Sequence, residues 1–155
     1  MALILEVHPS TTAYDAVFQV AEALDQKRYL VREYPHAKQR ILLGAFEGDD
    51  RPVGFLLALV QVLGAEEGCS PVSLNGKVLL ESYMEAFGVL PERRRVGIGQ
   101  QLQETAIQIA TDLGCYQVRS RSPSTAQENY ALKLKMGYVM HPSKENDSYY
   151  FIRKL

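Results

Sequence analysis

A chain of 155 residues, 46% apolar and 23% charged, has the material for one domain with a sizeable core. Seventeen basic against eighteen acidic side chains give a formal net charge of −1, which argues against a general nucleic-acid binder, since such proteins carry a basic excess. The longest apolar run, residues 53–65, is too short to span a bilayer and contains Gln61, so no membrane partner is expected.

The opening "ALILEVHP" reads as a short strand, and residues 10–26 read as a helix with Tyr14, Val17, Phe18, Ala21 and Leu24 on one face. Ser10 or Thr12 is the expected cap, with Asp15 completing a box with Thr12. Residues 27–39 are polar and ambiguous, with room for a second short helix. "RILLGAF" and "PVGFLLALVQVL" are two strands joined through the turn-rich "EGDDR". Residues 64–77 are expected to be a loop, and 78–90 a strand. After that strand, Ile98, Leu102, Ala106, Ile109, Ala110 and Leu113 recur at helical spacing, and Gly114 stands where a C′ glycine ends a helix. "CYQVRSR" is a strand, "STAQENYALKLKM" a short helix closed by Gly137, and "YVMHP" and "SYYFIRKL" are the last two strands. The order predicts an α/β (α+β) domain over residues 1–155. Its twisted, mostly antiparallel sheet has six to seven strands and is flanked by three to four helices.

Cys69 and Cys115 match neither a disulfide framework nor metal-ligand spacing, so a reduced cytoplasmic setting and no bound metal are expected. The N-terminus lacks a basic region and a small-residue cleavage site, which speaks against a signal peptide. His8, His36 and His141 have no partner at ligand spacing and are expected to be structural or exposed. Cys115 reads as a small buried residue.

The stretch "PERRRVGIGQQL" (91–102) carries the chemistry. A helix that starts near Gly97 leaves its first N–H groups without partners, and its dipole adds positive charge there. Glycines at 97 and 99 let an anion approach the backbone, and Arg94 with its neighbours adds charge-assisted donors. These features suit a phosphate or pyrophosphate; a solvated turn is the plain alternative. The Walker loop pattern is absent, and a dinucleotide fingerprint lacks its third glycine. What remains is R-x-x-G-x-G at Arg94–Gly99, after a strand ending "FGVLPE".

This pattern resembles the acyl-CoA-binding turn of the GNAT superfamily of N-acetyltransferases. Residues 88–120 resemble that family's strand, pyrophosphate turn, long helix and following strand, and "ENYALKLKMGYV" resembles its next helix. The resemblance implies that acetyl-CoA is the cosubstrate, with its pyrophosphate on the amides of Arg95, Val96, Gly97, Ile98, Gly99 and Gln100. It also implies pantetheine pairing along Phe87 and Val89, help from Arg94, and a contact from Asn129. The implied reaction is direct attack of an amine on the thioester.

The family's thiolate-protonating tyrosine falls on Lys133, which as a lysine is expected to be solvated, with the offsetting of thiolate charge as the alternative; Tyr130, one turn earlier, is a substitute for the acid, with plain packing as its alternative. The position of a glutamate base falls on Tyr83, flanked by Glu81 and Glu85. All three share a sheet face by alternation, with Glu85 favoured as base or amine anchor and an ion pair to an arginine such as Arg119 as the alternative. Two acids mildly favour a cationic amine as acceptor, and a homodimer is what the resemblance adds on assembly. A CoA-binding module without activity and an anion-binding interaction domain remain the alternatives.

Overall fold

The computed structural model describes residues 2–48, 50–145 and 147–155. The order is β1 (Leu3–Glu6), α1 (Thr12–Ala23), α2 (Lys27–Val31), β2 (Ala37–Phe46), β3 (Pro52–Val62), β4 (Ser73–Leu74) and β5 (Lys77–Val78), followed by β6 (Leu80–Val89), α3 (Ile98–Asp112), β7 (Gln117–Pro123), α4 (Gln127–Lys135), β8 (Val139–Pro142) and β9 (Ser148–Lys154). Seven of the strands form one sheet in the order β1-β2-β3-β6-β7-β9-β8, and β4 and β5 make a separate two-stranded hairpin. That hairpin lies where the sequence predicts only loop, with Asn75 and Gly76 at its turn, both at positive φ.

Helix α1 begins one residue away from each expected cap. Thr11 is the N-cap, its hydroxyl accepting the Tyr14 N–H, so Asp15 does not close a box. Along α3 the buried residues are Ile98, Leu102, Gln103, Ala106, Ile107 and Ala110, while Leu113 at the fraying end is exposed.

The sheet is covered on both faces. Val17, Val20 and Ala21 of α1 share a core with Phe55, Leu57, Tyr83 and Ala86. On the other face, Ile98, Leu102, Ala106 and Ala110 of α3 share one with Leu43, Val53, Leu56, Met84 and Val89. This is why β3 reads as a continuous apolar run: both its faces are buried. Each such Leu or Phe contributes about 1.5–3 kcal/mol of transfer energy.

Neighbouring strands are antiparallel except β6 and β7, which α3 connects as a parallel pair. The β6–β7 pairing starts at Glu81↔Gln117 and stops at Met84↔Ser120. Beyond that rung β6 stays with β3 as far as Val89↔Gly54, whereas β7 stays with β9 as far as Pro123↔Ser148. The two central strands therefore part, and one edge of β6 faces a gap.

Candidate active site

The parting coincides with a bulge. Against β3, Ala86 pairs with Leu57 and Met84 with Ala58, which leaves Glu85 without a partner. Before the bulge, Tyr83 lies in the α1-side core and Met84 in the α3-side core; after it, Ala86 and Phe87 take those sides. One extra residue thus re-aims the strand at the mouth of the gap.

At the far end of the gap lies the turn 91–97. Its backbone is held open by two left-handed residues, Arg95 at φ 63° and Gly97 at φ 89°. Gly97 is the N-cap of α3, and a Cβ there would meet no atom within 4 Å, so the space in front of the turn is clear. Gly99 is a case of close approach: an added Cβ would lie 3.0 Å from the Phe87 ring. The helix ladder begins with the Gln101 N–H donating to the Gly97 carbonyl. Among the described residues, no protein acceptor takes the N–H of Arg95, Val96, Gly97, Ile98, Gly99 or Gln100. Six unpaired donors at the positive end of a four-turn helix form a strong anion cradle.

The three arginines divide the work. Arg93 is drawn away to Glu47, with Nε 2.8 Å from Oε1. Arg94 lies along the cleft, its Nε donating to the Val89 carbonyl at 2.9 Å. Arg95 reaches across to Glu128 of α4 at 2.9 Å, both side chains being exposed. Between turn and strand edge runs a cleft of about 830 Å3, lined by Phe87, Val89, Arg94, Arg95, Gly97, Gly99, Gln100 and Asn129. Val96 is an exposed apex beside it, and the Ile98 side chain is buried in the core. Thr125 and Ala126, with Gln127 and Leu132 of α4, form the opposite wall.

The open edge of β6 is not bare. The Gln26 carboxamide, just past α1, donates from Nε2 to the Phe87 carbonyl at 3.1 Å and accepts the Phe87 N–H at 3.3 Å. It pairs with the strand as a neighbouring peptide unit would. Nothing in the sequence around Gln26 signals this, since the contact spans 61 residues.

On the α1 side of the sheet lies a charged patch. Glu81 is fully buried and bound by Arg119, with Nη2 at 2.8 Å from Oε1 and Nε at 2.9 Å from Oε2; Glu66 also pairs with this guanidinium. The ion-pair alternative therefore holds for Glu81. Burial works against the charge of Arg119, but its hydrogen bonds to Glu81 and Glu66 prevail and keep it protonated. The Arg119 guanidinium packs between the rings of Tyr83 and Tyr150, at 4.6 and 4.9 Å from their centroids. Glu85 stands apart, its carboxylate 3.8 Å from Arg32 and mostly buried. Desolvation raises its pKa, Arg32 lowers it, and Glu66 raises it further. Tyr83 is buried next to it, and burial pushes its hydroxyl well above the ordinary tyrosine range.

Comparison with known proteins decides the family. The model of the Acetyltransferase (GNAT) family matches residues 10–138. The chain belongs to this family. Arabidopsis thaliana NAA60, solved with acetyl-CoA, is similar over 100% of this chain and 99% of its own at 14% identity and TM-score 0.74. A Bacillus subtilis acetyltransferase solved with CoA (15% identity, TM-score 0.66) and the PaiA N-acetyltransferase of Thermoplasma acidophilum with coenzyme A (13%, 0.68) each cover 100% of this chain and 99% of their own. At these identities the likeness is one of fold. Among curated proteins, none is similar in sequence to this chain.

Two residues of α4, Tyr130 and Lys133, are the ones the family resemblance singles out. Tyr130 packs edge-on against Phe151 and Tyr149, and its hydroxyl donates to the Pro123 carbonyl at 2.9 Å. Lys133, expected in solvent, is buried at 4% exposure. Its Nζ donates to Ser120 Oγ and lies 5.2 Å from the Phe151 ring centroid. A helix only nine residues long, lying over β7 and β9, turns this side chain inward, and the one-residue sequence context gives no hint of it. The three histidines are exposed and Cys115 is buried, as expected.

Proposed function

We propose that this GNAT protein is an acyl-CoA-dependent N-acyltransferase that moves an acetyl group from acetyl-CoA to a primary amine. The observation that carries the reading is the run of six unpaired N–H donors from Arg95 to Gln100 beside an open strand edge. Together they offer a pyrophosphate cradle and a place for an extended amide-bearing arm. The cleft of about 830 Å3 between them lies within the range of ordinary ligand sites. The relatives solved with acetyl-CoA or CoA support the same donor here.

The residues divide into three roles. Arg95–Gln100 bind and orient the donor phosphates, with Arg94 adding charge and Asn129 closing the wall. The Phe87 and Val89 backbone aligns the pantetheine so that the thioester reaches the bulge. There Glu85, with a raised pKa and Arg32 beside it, accepts a proton from the attacking amine. Tyr83 frames the acceptor side, and Tyr130 ties α4 to the end of β7 through the Pro123 carbonyl. Holding amine and thioester together supplies a large share of the rate.

Small amines and peptide amines both belong to the acceptor class, with Glu85 and Glu66 favouring a cationic one. Two free cysteines suit a reducing, cytoplasmic setting. An amine panel with acetyl-CoA, read by thiol release, tests the reading. Transfer to at least one primary amine is expected; donor binding with no transfer to any would leave only a binding module.

A further inference from the structure

The arginines on the α1 side of the sheet are not alike. Arg119 is bound by Glu81 and Glu66, and Arg40 donates to the Leu30 and Arg32 carbonyls. Arg32 and Arg121 keep donors that the fold does not use. Among the described residues the Arg32 guanidinium has no hydrogen-bond acceptor, and the Glu85 carboxylate stands 3.8 Å off. Arg121 meets Glu145 through Nη1 at 2.5 Å, and that carboxylate is itself exposed.

The parting of β6 and β7 places Glu85 and Arg121. The last rung of that pairing is Met84↔Ser120, so Glu85 and Arg121 are the next residue on each strand. In the rung before it, Tyr83↔Arg119, the guanidinium packs on the tyrosine ring on the α1 side, and alternation along β7 puts Arg121 on the same face. One more rung would bring opposite charges together. Instead the strands separate, and among the described residues no ion pair joins Glu85 to Arg121. Burial raises the Glu85 pKa and Glu66 adds to that, while Arg32 and Arg121 lower it, so both guanidiniums lie within reach of its charge. One carboxylate and two guanidiniums thus surround one opening.

A ligand of complementary pattern carries an ammonium and a carboxylate. Glu85 suits the first, and the planar fork of a guanidinium is the side-chain group best matched to the second. We propose that the acceptor is an amine of the amino-acid type, its ammonium on Glu85 and its carboxylate held by Arg32 and Arg121. Because Arg32 stands 3.8 Å from Glu85, the two groups of the ligand are only a few bonds apart. A diamine of that length would set its second ammonium against two guanidiniums. The inference rests on the acyl-transfer reading above and narrows its acceptor class. The reaction is unchanged. After loss of one proton to solvent the free amine attacks, its nitrogen bonds to the acyl carbon, and the carbon–sulfur bond breaks with its electron pair leaving on sulfur. The proton released by nitrogen passes through Glu85 and solvent to the thiolate, giving an N-acetyl amino acid and free CoA.

Matched acceptors test this, with acetyl-CoA as donor and thiol release as the readout: amino acids, their carboxamides, and the amines left when the carboxyl is removed. At least one amino acid is expected to react with kcat/KM about tenfold or more above that of its own carboxamide. In Arg121→Gln that preference is expected to fall toward one, and Arg121→Lys, which keeps the charge, to retain part of it. Arg32→Gln carries the same comparison if the first variant does not fold. Carboxamides or plain amines that react as well as the amino acids overturn the inference and leave the acyl-transfer reading standing, and so does a preference that survives both glutamine variants. CoA binding without transfer to any amine brings down both.

Discussion

The Gln26 carboxamide and the Phe87 main chain form a closed pair of hydrogen bonds, at 3.1 and 3.3 Å, on the edge of β6 that the departure of β7 sets free. A backbone edge within a cleft needs partners, and here one side chain supplies two of them. The same two groups are the ones an extended amide arm would use. On the acyl-CoA reading proposed above, Gln26 is a stand-in that the donor would displace.

Removing that stand-in makes the first prediction. Each hydrogen bond contributes a net of about 0.5–1.5 kcal/mol, and both must break before a donor pairs with Phe87. Gln26→Leu is expected to bind acetyl-CoA severalfold more tightly by calorimetry, with the fold unchanged. Weaker binding would show instead that the carboxamide contacts the bound donor.

The bulge residue makes the second. Desolvation raises the Glu85 pKa, so its ionised, proton-accepting form is complete only at higher pH than for an exposed carboxylate. The rate with an amine found in the panel is expected to climb on an acidic limb that Glu85→Gln abolishes, with kcat lower by about tenfold to a hundredfold. Arg32 works in the opposite direction on the same group. Arg32→Ala is therefore expected to move that limb to higher pH, and an unmoved limb would assign it to another residue.

Lys133 makes the third, on stability alone. Its folded pKa, about 8, lies below the ordinary lysine value of 10.5. Below pH 8 folded and unfolded chains both hold the proton and the burial penalty is complete. Between 8 and 10.5 the folded chain releases its proton first, so stability rises with pH by up to about 3 kcal/mol. Lys133→Met is expected to melt at higher temperature than wild type at pH 7, with the gap narrowing above pH 8. A lower melting temperature at pH 7 would mean that the ammonium is already compensated.

The buried ion pair makes the fourth. Glu81→Gln leaves Arg119 buried beside Glu66 alone, and removal of one partner from such a pair costs about 3–5 kcal/mol. Chemical denaturation is expected to show that loss. A change below about 1 kcal/mol would mean that water or Glu66 replaces the lost charge.

The segment from β6 through α3 is legible in the sequence because its signals are local. A β-rich run, an arginine–glycine turn and a helical stripe lie end to end. The same locality explains the accurate order of the strands. What the sequence hides is set by tertiary contact. Alternation places Glu81, Tyr83 and Glu85 alike, yet the bulge leaves Glu85 unpaired and only Glu81 is claimed by Arg119. The parts that Gln26, Arg32 and Glu66 play depend on residues far along the chain. Lys133 reads as a solvated lysine because burial of a charge is the rarer outcome, and only the packing of α4 over β7 and β9 reveals it.

The central claim is that the donor is held by the backbone at the start of α3. Amide proton–nitrogen spectra of the labelled protein, recorded while CoA is added, test it most directly. The largest changes are expected at the amides of Arg95 to Gln100, with Phe87 changing as Gln26 lets go. Saturation with CoA that leaves those amides unmoved would contradict the account.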